Sequence, residues 1–203
     1  MTEPVRAAGE LAHRPVSNWN IANGLTVLRF VLVPVFLFLL LHNDGQDDLW
    51  RVAAWFVFAV ASVTDRVDGQ LARSRGLVTD FGKIADPIAD KALIGAALVG
   101  LSSLGELAWW VTVVVLVREI GVTLLRFWVI RHGVIPASRG GKAKTMTQIA
   151  AIVAYLLPLP PSVDVVRWVL MGAALLLTVV TGVDYVVRAV RLRAAGERAV
   201  SGG

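Results

Sequence analysis

The chain has no cysteine in 203 residues, which excludes disulfides, thiol nucleophiles and thiolate metal ligands. Its three histidines, His13, His42 and His132, are scattered near the ends of apolar runs, so no zinc or histidine-based constellation forms. Charge is scarce: 17% of residues are charged, against about a quarter in a soluble domain. The net charge of +5 does not point to nucleic acid, because the basic residues sit in short segments between apolar runs, with no aromatic-lined basic groove. At the N-terminus no basic segment leads straight into a short apolar core and cleavage site. Residues 1–19 therefore read as a polar, flexible leader rather than a signal peptide. What remains is apolar: 56% of residues are hydrophobic and the mean hydropathy is +0.68.

Six apolar segments approach the roughly 20 residues a membrane span requires, at about 22–41, 49–72, 84–104, 108–130, 145–160 and 163–187. The fifth is the weakest, opening with Thr145, Thr147 and Gln148. β-Branched runs such as Val111–Val117 are read as helical, because an open sheet cannot satisfy its backbone in lipid. The expected fold is all-α, a polytopic membrane protein with six transmembrane helices and one domain over 20–192, followed by a flexible tail over 193–203. Thirteen of the 20 basic residues fall before the first run, between runs two and three, between four and five, or after the sixth. The other connections hold Asp44, Asp47, Asp48 and Glu106 and no Lys or Arg. Positive charge marks the cytoplasmic side, so both termini are expected there, in a multi-pass cell membrane protein. Ala-, Val- and Arg-rich usage suggests a bacterial source.

Against that apolar background, one stretch stands out: Asp65-x-x-Asp68-Gly69-x-x-Ala72-Arg73, eight residues, then Gly82-x3-Asp86-x3-Asp90. A charge at the bilayer centre costs roughly 2.5–3.5 kcal/mol, and close like charges repel one another as well. Divalent cations would offset both costs. At 100° per residue Asp65, Asp68, Gly69 and Ala72 share one helix face, and Gly82, Asp86 and Asp90 form a second stripe. A short connection makes the two helices antiparallel neighbours, so the stripes can face each other. Oxygen-only ligands suit Mg²⁺, Mn²⁺ or Ca²⁺, and four carboxylates suffice for two ions about 4 Å apart, a clamp for phosphoryl transfer. Gly69 and Ala72 leave room for a phosphate or sugar, and Arg73 offers a planar fork to phosphate oxygens.

This pattern, present at all eight fixed positions, resembles the signature of the CDP-alcohol phosphotransferases. Further likeness lies in Asn23-Gly24-Leu25-Thr26-x-x-Arg29, Asp86-Pro87-x-x-Asp90-Lys91, Arg118-Glu119 and Gly141-Lys142-x-Lys144-Thr145, so that it covers roughly 18–190. The resemblance implies a six-helix membrane enzyme, often a homodimer, that joins CDP-diacylglycerol to sn-glycerol 3-phosphate and releases CMP. It implies that Asp65, Asp68, Asp86 and Asp90 hold two Mg²⁺ or Mn²⁺ ions, with Asp90 also the general base. It places the CDP moiety at Asn23, Gly24, Leu25, Thr26, Gly69, Ala72, Arg73 and Thr79.

The acceptor's phosphate needs cations of its own. Arg118, Lys142 and Lys144 are the candidates, set against the simpler reading of a basic loop beside anionic lipid. Arg139 is a weaker candidate, and Arg126 and Arg131 read as interfacial anchors. Asp184 and Arg188 are spaced for a local helix pair. Pro34 is expected to kink the first span. Trp50, Trp55, Trp109 and Trp110 read as interface anchors. Two alternatives stay open: the same chemistry with inositol phosphate or phosphatidylglycerol as acceptor, and a cation transporter. Against the transporter, neither a repeat nor an interrupted helix is visible.

Overall fold

The computed structural model describes residues 21–74, 79–129 and 139–201, and within them the side chains at 22, 65–74, 80–84, 139 and 195–201 are not described. The described residues are helical with no strand. The six α-helices are α1 Ile21–Leu41, α2 Asp48–Ser74, α3 Asp80–Ser103, α4 Trp109–Val129, α5 Arg139–Leu156 and α6 Asp164–Ser201. Short 3₁₀ turns at His42–Gly45 and Pro161–Val163 join α1 to α2 and α5 to α6. In the first of these, Asn43 and Asp44 both take φ +51°, a left-handed conformation that short polar side chains tolerate. The leader over 1–19 and the segments holding Arg75, Arg131 and His132 lie outside the described residues.

The helices follow the apolar runs, with two differences. α5 begins at Arg139 rather than near 145. Its polar start is accommodated in the helix: Thr145 Oγ1 donates to Gly141 O at 3.1 Å and Thr147 Oγ1 to Ala143 O at 3.0 Å, so the hydroxyls are satisfied there. Helical backbone in α6 also continues to Ser201, past the start of the expected tail.

Buried positions recur at helical spacing. Arg51, Ala54, Phe58 and Ala61 make the inner stripe of α2, and Ala85, Ala89, Leu93, Ala97 and Leu101 that of α3. α1 packs on both α2 and α3, and α4 and α5 both pack on α6. Contacts of α3 with α4 and of α5 with α2 and α3 join the two groups. Phe36 of α1 meets Phe58 of α2 with ring centroids 5.7 Å apart. Small residues let the helices approach: a Cβ on Gly100 would lie 2.7 Å from Leu40 Cδ2, so a larger residue where α1 crosses α3 would displace that leucine.

The outer surface is apolar. Phe38, Phe127, Val183 and Leu176 are each about three-fifths exposed or more. Among the described residues two segments are long and apolar enough to cross a membrane, Asn23–Gly45 and Pro161–Ala194, and only 22% and 17% of their apolar windows are buried. A core helix of a soluble protein would show the opposite.

Candidate active site

The chemistry-bearing side chains gather at one end of the bundle, where α1, α3 and α5 begin and α2 and α4 end. α2 stays helical to Ser74, so Asp65, Asp68, Gly69 and Ala72 keep one register face near its C-terminal end. The side chains of Asp65, Asp68, Ala72 and Arg73 lie outside the described residues. Among the described side chains no group of three acidic residues or histidines converges. The described half of the aspartate set is Asp86 and Asp90, one turn apart on α3 and lining the same cavity.

That cavity has a volume of about 330 Å³. Its walls are Asp86, Pro87, Asp90 and Lys91 from α3, and Arg118, Glu119, Val122, Thr123 and Arg126 from α4. Asp86 is held from α1: buried Thr26 donates from Oγ1 to Asp86 Oδ1. Nearby, Thr79 Oγ1 donates to Asn23 Oδ1 at 2.9 Å, fixing the start of α1 beside the start of α3. Asn23, Thr26 and Thr79, expected at the CDP moiety, are thus brought to the head of α3 and form part of the support for a metal-ligand candidate. Gly24 is exposed, Leu25 is half-buried, and Arg29, one turn beyond Thr26, is fully buried.

The α4 wall is a charge network. Glu119 Oε1 accepts from Arg118 Nη1 at 2.9 Å and from Lys144 Nζ at 2.5 Å. Arg118 also reaches α6, donating from Nε to Thr178 O at 3.2 Å and from Nη2 to Thr181 Oγ1 at 2.9 Å. Lys91 Nζ donates to Thr123 Oγ1, which donates to Glu119 O at 2.8 Å. One carboxylate therefore draws together cations from α4 and α5, and a hydroxyl holds the amine that follows Asp90.

Of the three expected acceptor cations, Arg118 lines this cavity. Lys144 is buried against Glu119, and Lys142 is exposed at the start of α5; neither is among the lining residues. Arg126, read from sequence as an interfacial anchor, also lines the cavity. The available signal was the spacing of Arg118, Glu119, Thr123 and Arg126 in an otherwise apolar helix, since steps of four and three keep polar groups on one side. Asp184 and Arg188 do form the expected helix-local pair, at 2.9 Å.

Two carboxylates one turn apart on α3 and the cations of α4 thus line one cavity. The chain matches the family model for CDP-alcohol phosphatidyltransferase over residues 19–180. It belongs to that family. This phosphatidyltransferase is 59% identical over 172 residues to a protein of Mycobacterium tuberculosis named probable phosphatidylglycerophosphate synthase, covering 85% of this chain and 82% of that one. It is 38% identical over 184 residues to the CDP-diacylglycerol–glycerol-3-phosphate 3-phosphatidyltransferase of Bacillus subtilis (82% and 93% covered). A protein of that name from Pseudomonas fluorescens is 42% identical over 170 residues (78% and 81%).

Proposed function

We propose that the enzyme transfers the phosphatidyl group of CDP-diacylglycerol to sn-glycerol 3-phosphate, giving phosphatidylglycerophosphate and CMP. The observation that carries this reading is the cavity in which Asp86 and Asp90 face Arg118 and Arg126. It sets carboxylates opposite cations suited to a phosphorylated alcohol. The names of the relatives point to the same donor and acceptor.

Asp65, Asp68, Asp86 and Asp90 are the residues that would hold divalent ions, and their all-oxygen donor set fits Mg²⁺ or Mn²⁺. Two such ions, when bound, neutralise charge on the pyrophosphate. Thr26 orients Asp86 by its hydrogen bond. Asp90 accepts the proton of the acceptor hydroxyl as that oxygen attacks the β-phosphorus, and the bond from phosphorus to the CMP oxygen breaks. Arg118 and Arg126 hold the acceptor's phosphate, so the hydroxyl is presented rather than found by diffusion. Lys144 acts through Glu119, which keeps Arg118 at the wall. Gly69, Ala72 and Arg73 take the CDP moiety.

The enzyme sits in the cytoplasmic membrane as a six-span protein with both termini and the active site on the cytoplasmic side. The exposed apolar belt, the two long apolar helices and the crowding of basic residues at the site end support that placement. The test is CMP release by the purified enzyme given CDP-diacylglycerol with labelled glycerol 3-phosphate, inositol phosphate or phosphatidylglycerol. Glycerol 3-phosphate is expected to serve. CMP release with another acceptor alone would overturn the acceptor assignment, and none with any acceptor would overturn the reaction.

A further inference from the structure

An apolar groove of about 660 Å³ runs between α4 and α6. Its flanks are Val113, Val117 and Leu125 on one side and Val179, Val183 and Val187 on the other. We propose that this groove holds one acyl chain of the phospholipid whose phosphate is handled at the Asp86–Asp90 cavity. The proposal rests on the function above and adds where the lipid's tail lies.

Three features separate the groove from ordinary lipid-facing surface. First, it adjoins the polar cavity, because Arg118 and Val122 line both. A molecule with an anionic head and an apolar tail finds both environments at that junction. Second, its floor is left open: a Cβ on Gly121 would meet nothing within 4 Å, whereas a Cβ on Gly182 would press on Arg118 Cγ at 3.1 Å. One glycine leaves the groove deep, and the other leaves room for the arginine at its inner end. Third, the flanks are mostly valine, whose branched Cβ holds few rotamers, and the volume lies within the roughly 300–1,000 Å³ of ligand pockets.

Contacts between the two flanking helices also bear on the occupant. Arg118 ties α4 to Thr178 and Thr181 of α6, and Arg193 stacks over Trp128 with its guanidinium carbon 4.2 Å from the ring centroid. A helix, about 10–12 Å across with its side chains, would have to break those ties to enter from a second copy. A hydrocarbon chain would not.

Gly121→Leu fills the floor and tests the assignment, with dioleoyl and dibutyryl CDP-diacylglycerol as substrates. The KM for the dioleoyl lipid is expected to rise about tenfold, while the KM values for the dibutyryl lipid and for glycerol 3-phosphate stay within about twofold. Equal change for both lipids, or no change for either, overturns the groove. A wild-type enzyme that releases no CMP from either lipid would defeat the proposed function instead, so the groove is also read without turnover. The native chain has no cysteine, so Val183→Cys gives a single label site, and this also serves if Gly121→Leu does not fold. Dioleoyl CDP-diacylglycerol is expected to slow alkylation by an apolar maleimide about tenfold, and CDP alone to have no effect. Absent protection, or disulfide-linked pairs that persist with the lipid present, would overturn the proposal, the latter in favour of a second copy.

Discussion

The two ends of the bundle use arginine in opposite ways. At the end away from the active site, Arg51 gives its guanidinium to the Glu106 carboxylate, to Tyr155 O at 2.7 Å and to Gly45 O at 3.3 Å. Arg167 likewise serves Ala154 O, Leu157 O and Asp164, at 2.8–2.9 Å. These arginines close the C-terminal carbonyls of α5 and the turns around them, so their charge is used within the fold. At the active-site end, Arg126 lines the cavity from an exposed position, beside Arg118, whose three nitrogens are bonded to Glu119, Thr178 and Thr181. Charge that the fold has already matched holds helices together. Charge left facing a cavity is available to a substrate. The lesson is that counting arginines per loop gives topology, whereas their partners tell structure from chemistry.

Breaking the reaction centre should give the largest effect. Asp90→Asn is expected to lower kcat by about 10³-fold or more while CDP-lipid binding persists, measured by CMP release and by equilibrium binding. Asp65→Asn should instead weaken Mn²⁺ binding itself, read by titration; equal loss of lipid binding in both variants would count against Asp90 as the base. At the opposite end, Arg51→Ala leaves Glu106 and two carbonyls without their donor. A loss of about 3 kcal/mol in stability is expected from thermal unfolding in detergent, with kcat per folded molecule nearly unchanged. If activity fell with stability unaffected, the contrast between the two ends would be wrong.

Arg126→Ala reverses that pattern. The KM for glycerol 3-phosphate should rise about tenfold, with the unfolding temperature unmoved, since an exposed cation loses only its bond to the substrate. An unchanged KM would return Arg126 to the role of anchor. Smallest of all, Asp184→Asn removes an exposed i,i+4 pair worth about 0.3–0.5 kcal/mol and should leave both activity and unfolding temperature almost untouched.

Helix number and the placing of Asp86 and Asp90 on one side of α3 were legible in the sequence because each rests on a local signal: the length of an apolar run, or a spacing of four. α5 was placed late because hydroxyl-to-carbonyl bonds made at Thr145 and Thr147 leave no mark in composition. That Arg126 lines the cavity was not legible, because an arginine near a span end looks the same whether it faces headgroups or a cavity. Helix rotation decides between them, and rotation follows from packing. The Thr26–Asp86 and Lys91–Thr123 contacts join residues 60 and 32 positions apart, so no local pattern could pair them.

The central claim is that α2 and α3 bring four carboxylates together as a divalent-cation clamp beside the acceptor cavity. Anomalous scattering from crystals grown with Mn²⁺ tests it most directly. Two peaks about 4 Å apart, bounded by Asp65, Asp68, Asp86 and Asp90, are the result expected. A map with no peak among these residues, or with their side chains turned from one another, would contradict the account.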